Sequence, residues 1–217
     1  MNALSTMQSA PFDSTVYVAR VDSPLGALHV ASVESGVCAA AFDDRAGALE
    51  PRLRRMFGPF FRIERGDPLG VQQPLRAYFA GRTDALRDIA LATAATPMQR
   101  RVWTLVAALL PGTVTTYAAL AERIGMPRGQ RAVGVCLATN PVPLFVPCHR
   151  VVSTSGGLGS HPGGVACKRW LLRHEGALDV ADLTLARASG TRTARRHSPL
   201  DPRDTVELVE LPLVVGY

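Results

Sequence analysis

Small, polar and β-branched residues alternate along STVYVARVDSPLGALHVASVESGVCAAAF. A period of two on either side of the Ser-Pro-Leu-Gly turn predicts a hairpin or three-stranded meander. Two helical patterns follow: ALEPRLRRMF and QPLRAYFAG each read as a short helix, the second closed by Gly81. Between Gly81 and Thr96 the apolar positions keep no regular period, so a connection between two domains is expected there, with a boundary near Ala95. From Thr96 the helical period returns. In TPMQRRVWTLVAALLPG, Thr96 is a cap, Pro97 takes the first helical position, and Val102, Leu105, Val106 and Leu109 share one face. TTYAALAERIG predicts a second helix, capped by Thr116, with Leu120 and Ile124 four apart and a stop at Gly125. After the MPRG turn, QRAVGVCLATN predicts a third helix ending near Asn140.

Two short helices joined by a tight Gly/Pro turn form the helix-turn-helix arrangement, in which the first supports the second against a nucleic-acid groove. An ordinary helical hairpin inside a core has the same pattern. What favours a groove is the second helix itself: it opens on Arg128 and Arg131 and then presents Ala132, Gly134 and Ala138. Small side chains let a helix backbone approach a narrow groove, while a long cation at its start reaches between bases.

Composition agrees without deciding. With 217 residues, 47% hydrophobic, the chain has material for one ample core or two modest domains. Its net charge of +6 is carried far more by Arg than by Lys, which favours a polyanionic partner, although genomic base bias produces the same excess. Cys38, Cys136, Cys148 and Cys167 are not closely paired, and the start lacks a basic segment followed by an apolar core. A reducing, cytoplasmic setting is expected. No apolar run approaches the roughly 20 residues that cross a bilayer, so no membrane partner is expected.

Candidate chemistry centres on LFVPCHRVVSTSGGLG, where Cys148 stands between a proline and a histidine. A thiol attacks as thiolate, and an ordinary cysteine is mostly protonated at neutral pH, so Cys148 needs a base. In an extended segment His149 would point to the opposite face, which makes a bridging water the easier geometry. The imidazole also needs its second nitrogen fixed, and Glu175 in LLRHEG is the carboxylate in position to do it. Cys38, Cys136 and Cys167 read as small buried hydrophobes, and His29, His174 and His197 as structural or solvated. A zinc site from Cys136, Cys148, His149 and Cys167 lacks the paired ligand spacing of structural zinc modules, and a papain-like hydrolase takes its base from far away in sequence.

VPCHRVV, with RAVGVCLATNPVPLF before it and GG...K..LL..HEG after it, resembles the O6-alkylguanine-DNA alkyltransferase family from about Thr96 to Leu178. SPLGALHVASVESGV is similar, more loosely, to that family's N-terminal domain. The resemblance implies a ribonuclease H-like α/β domain over 1–95, a mostly α domain with a winged-helix-like helix-turn-helix over 96–178, and an extension over 179–217. It implies irreversible, single-turnover transfer of an alkyl group from O6 of guanine, less readily O4 of thymine, to Cys148. The partner is double-stranded DNA carrying the lesion, met by a monomer able to load cooperatively, with no cofactor and no metal.

By the same resemblance His149 draws the thiol proton through water, Glu175 supports His149, and Tyr117 donates to the leaving base. Arg131 fills the gap left by the flipped nucleotide, and Asn140 holds the turn that bears the active-site segment. Arg128, Ala132, Ala138, Gly159, His161 and Lys168 complete the DNA and substrate contacts, with SGGLGSHPGG as the loop against the base. That loop departs from the family, which often carries tyrosine where this chain has His161 and a small polar residue in place of Pro162. Protonation of His161 near neutral pH is expected to make repair pH-sensitive. Two other classes remain open: a lesion-binding protein without transfer activity, and a helix-turn-helix transcription regulator. In the extension, ARASGTRTARRHSPLDPRD reads as a linker and TVELVELPLVVGY as loosely ordered chain or an added edge strand.

Overall fold

The structure is a computed structural model that describes residues 14–155 and 157–177. β1 (Ser14–Val21), β2 (Leu28–Val33) and β3 (Gly36–Phe42) form the antiparallel meander that the alternation predicts. Every residue of β3 is buried, because the sheet is covered on both faces. On one face Val16, Ala31, Cys38 and Ala39 pack against Leu49 and Leu53 of α1 (Leu49–Phe57). On the other, Val30, Val37, Ala40 and Phe42 join a cluster that includes Leu75 and Tyr78 of α2 (Gln72–Phe79).

A fourth strand, β4 (Phe61–Arg65), lies parallel to β1 at the sheet edge, giving the order β3-β2-β1-β4. Its pattern is invisible in the sequence. FRIER is charged at three of five positions and four of the five are exposed, so an edge strand with little to bury leaves no apolar alternation to read.

The connection expected between Gly81 and Thr96 has no helix or ladder of its own, yet it is packed down. Val37 N donates to Ala90 O and Ala92 N donates to Val37 O, both at 2.9 Å, which lays the connector on the edge of β3. Leu86, Leu91 and Thr93 are buried. The main core cluster therefore runs without a break from Val30 and Tyr78 to Val102, Trp103 and Cys148, on both sides of Ala95.

α3 (Pro97–Ala107) starts as the caps predict, and more firmly: Thr96 and Gln99 bond reciprocally as a capping box. Its buried face takes Val102, Val106 and also Trp103, whose indole N–H donates to Cys136 O at 2.9 Å, while Leu105 is only partly buried. Thr116 caps α4 (Tyr117–Arg123), with its hydroxyl accepting from Ala119 N at 3.1 Å. Gly125, at φ 75°, ends that helix in a conformation that favours glycine. α5 (Gln130–Ala138) packs on both α3 and α4. Two short strands, β5 (Thr115–Thr116) and β6 (Val151–Val152), pair in parallel and bring the chain after Cys148 alongside the start of α4. α6 (Gly164–His174) then places Glu175 at its end.

Candidate active site

Every residue from Pro141 to Arg150 is buried. Asn140, itself with no exposed surface, holds this segment from inside. Its carbonyl oxygen accepts from Val142 N at 3.0 Å, and its amide donates to Val146 O at 2.8 Å and to Cys148 Sγ at 3.3 Å. One side chain thus fixes the turn and touches the sulfur. Within the turn Leu144 takes φ 78°, the only positive value outside glycine among the described residues, a strain that buried surroundings must hold in place.

Cys148–Arg150 is a turn of 3-10 helix, which corrects the expectation of extended chain there. Cys148 N donates to Val146 O and Arg150 N to Pro147 O, so the backbone coils as soon as Pro147 is passed. The coil sends His149 and Arg150 together toward Glu175. His149 Nε2 meets Glu175 Oε1 at 2.9 Å, and the Arg150 guanidinium grips both carboxylate oxygens, Nε to Oε2 and Nη2 to Oε1, each at 2.7 Å. The Tyr78 hydroxyl also donates to Oε1, at 2.8 Å. His149 Nδ1 is buried and finds no hydrogen-bond partner among the described residues.

These contacts set the electrostatics. Burial pushes the Glu175 carboxyl up, but the hydrogen bonds and charges of His149 and Arg150 outweigh it and bring it down to about 2. Burial holds the His149 imidazole below its ordinary value, against the pull of Glu175. Burial also raises the Cys148 thiol, a rise that the Asn140 amide and the Lys168 charge oppose without cancelling. The balance favours the protonated sulfur at rest.

Lys168, expected among the DNA and substrate contacts, is fully buried, beside Tyr117 and Cys148. Its ammonium donates to Val151 O and stands 5.9 Å from the centre of the Tyr117 ring. Burial lowers it to about 8. It is the chain's single lysine against an otherwise all-arginine set of cations. Tyr117, half-buried at the start of α4, has its phenol raised by burial first and by the nearby sulfur second. Gly159 lies against it: a Cβ there would come within 2.7 Å of the Tyr117 hydroxyl, at a φ of 69°.

His161 corrects another expectation. It is buried, its ring 6.2 Å from and edge-on to that of His149, and its Nδ1 accepts from Gly163 N at 3.0 Å. Burial, then the proximity of His149 and Lys168, drives it down to about 3, so it does not titrate near neutral pH. The DNA-facing candidates are arranged differently. Arg128, Arg131 and Ala138 are exposed, Ala132 is half-buried, and Val135, not anticipated, is 59% exposed on the same helix.

Arg150 and Tyr78 are the two site residues that sequence reasoning missed. A buried arginine looks like any other in an arginine-rich chain, and Tyr78 lies 97 residues from its carboxylate. Both line a cavity of about 310 Å³ between the connector and the active-site segment, with Leu86, Leu144, Phe145 and Pro147 among its walls. His29 pairs with Asp43, and His174 stacks on Trp170; His197 and the segments beyond 178 lie outside the described residues.

Comparison with known proteins bears on all of this. Residues 97–177 match the family model described as 6-O-methylguanine DNA methyltransferase, DNA binding domain. The methylated-DNA–protein-cysteine methyltransferase of Shigella flexneri is 38% identical over 168 residues, covering 73% of this chain and 95% of its own. The human protein of that name is 48% identical over 75 residues, 35% of this chain and 36% of its own. Among solved structures, Mycobacterium tuberculosis O6-methylguanine methyltransferase aligns with a TM-score of 0.63 at 34% identity, over 78% of this chain and 98% of that one. Mycobacterium tuberculosis OGT in complex with DNA aligns at 0.61 and 31%, over 77% and 99%. The sheet, the helix pair and the enclosed thiol thus fall within a class of DNA-binding transferases. The chain belongs to the methylated-DNA–protein-cysteine methyltransferase family.

Proposed function

We propose that this protein repairs alkylated DNA by taking the alkyl group onto Cys148, once per molecule. The observation that carries this reading is the convergence on Cys148 of the Asn140 amide and the Lys168 charge, with the His149–Glu175 pair formed one residue away. Asn140 and Lys168 stabilise a developing thiolate. His149, neutral at rest and fixed through Nε2, accepts the thiol proton at Nδ1 through one water, and Glu175 stabilises the imidazolium that forms. As sulfur bonds to the alkyl carbon, the bond from that carbon to O6 breaks, and the guanine anion takes a proton from the Tyr117 phenol. General-acid help of this kind raises a rate by roughly 10²-fold or more.

A thiol only 3% exposed cannot attack a base still stacked in the duplex, so the nucleotide has to be extruded into the space before it. Arg131, exposed at the start of α5, fills the gap in the stack, and Arg128 supports the backbone. Gly157 to Gly163 forms the wall against the base, with Gly159 pressed on Tyr117. The strand order β3-β2-β1-β4 supports a ribonuclease H-like N-terminal unit over 1–95, and α4–α5 beside the β5–β6 pair supports a winged-helix-like unit over 96–178. A site built from the described residues of one chain supports a monomer acting on double-stranded DNA, and four free cysteines support a cytoplasmic setting. No described helix is long and apolar enough to cross a membrane.

The test is stoichiometry. With a duplex oligonucleotide bearing O6-methylguanine in excess, one lesion per protein molecule is lost and the reaction then stops. Continued turnover, or binding without loss of the lesion, rejects the reading.

A further inference from the structure

The Tyr78 hydroxyl joins two parts of the molecule that the chain separates widely. Tyr78 lies on α2, packed under the N-terminal sheet, while Glu175 ends α6. Oε1 of Glu175 accepts three donors: His149 Nε2, Arg150 Nη2 and the Tyr78 hydroxyl. The backbone is held as well, since His174 Nε2 bonds Tyr78 O at 2.7 Å and the Tyr78 ring meets the His174 and Phe79 rings edge-on. Resting on the function proposed above, we infer that Tyr78 is a positioning residue for alkyl transfer, its hydroxyl fixing the Glu175 oxygen that serves His149 and setting how strongly that oxygen supports the imidazolium.

The physical basis is competition at one oxygen. Each donor to a carboxylate neutralises part of its charge, so a third donor leaves less for His149. The groups facing the His149–Glu175 pair are Arg150 from the same turn, Lys168 from α6, His161 from the loop and Tyr78 itself. Among them Tyr78 is the one contributed by the N-terminal sheet and its helices. Its phenol, with 1% exposure and a raised proton affinity from burial and the adjacent carboxylate, remains a donor at any working pH. The N-terminal half thereby acts on proton transfer through Glu175, beyond supporting the fold.

The experiment measures the rate of methyl transfer to full-length protein across pH, with DNA affinity measured separately. Transfer needs neutral His149, so the rate rises with pH along an acid limb set by that imidazole. Tyr78→Phe keeps the ring contacts and removes the donor, and the acid limb is expected to move to higher pH by about half a unit or more, with DNA affinity unchanged. A fluorotyrosine at position 78, a stronger donor in the same place, moves it to lower pH. Phe79→Leu, which loosens the same aromatic contacts without touching Glu175, lowers the melting temperature and leaves the limb where it was. Opposite shifts for the two changes at position 78 support the inference. If the wild type transfers methyl but neither change at 78 moves the limb, or Phe79→Leu moves it equally, Tyr78 only packs. If Tyr78→Phe does not fold, the fluorotyrosine shift alone decides. A wild type that gains no methyl rejects the transferase reading instead.

Discussion

At the scale of single residues, the site is a set of buried charges that hold one another. Glu175 and Arg150 form a two-pronged ion pair, with His149 and Tyr78 completing the carboxylate. Removing one member strands the others. Glu175→Gln is expected to cost on the order of 3 kcal/mol, read as a lower midpoint in chemical denaturation, and to slow transfer as well. Lys168→Arg keeps the charge but brings a larger planar head into a space that holds one ammonium, with overpacking of roughly 1–3 kcal/mol and slower transfer. Acid stability has a definite sign. His161 falls from 6.5 in the unfolded chain to about 3, so the stability it represents is complete above about 6.5 and is lost as pH drops toward 3. Glu175 adds a second loss as pH falls from 4.5 toward 2. The buried His149 imidazole, also held below its ordinary value, contributes to the same slope, so denaturation midpoints for His161→Phe should lose part of the slope seen in the wild type between those upper limits and keep the rest; an unchanged slope would assign it to another group.

At the scale of elements, local chemistry was the readable part. The caps Thr96 and Thr116, the stop at Gly125 and the meander around Ser-Pro-Leu-Gly all follow from rules that act within a few residues. β4 was not readable because its faces are mostly wet, and the 3-10 turn at Cys148 was not because Pro147 permits either extended or coiled chain. Candidate chemistry divides along the same line. Cys148, His149 and Glu175 stood out by residue type and motif, whereas Arg150, Tyr78 and the buried setting of Lys168 depend on where distant elements meet. Two predictions belong to this scale. Gly159→Ala places a methyl against the Tyr117 hydroxyl at a positive φ, so transfer slows while DNA affinity holds. Arg131→Ala lowers repair of duplex lesions more than reaction with a free base analogue; an equal fall in both would deny it a part in extrusion.

For the molecule as a whole, one core cluster continues from the N-terminal sheet through the connector to the active-site segment. Such continuity predicts a single cooperative thermal transition, with the catalytic hydrogen bonds and the N-terminal sheet lost together. Calorimetry showing two separated transitions would mean that the halves are independent. The net charge of +6, with Arg128 exposed in the turn before α5 and Arg131 exposed in its first turn, predicts DNA affinity that falls steeply with salt and depends little on base sequence, unlike that of a transcription regulator.

Which sulfur receives the alkyl group is the question that tests the account most directly, because Cys38, Cys136, Cys148 and Cys167 are all free and all buried. After incubation with an O6-methylguanine duplex, proteolysis and peptide mass spectrometry should find one methyl on the peptide containing Cys148 and none on the other three. Methylation of Cys167 or Cys136 in its place, or a Cys148→Ser protein that still removes the lesion, would contradict it.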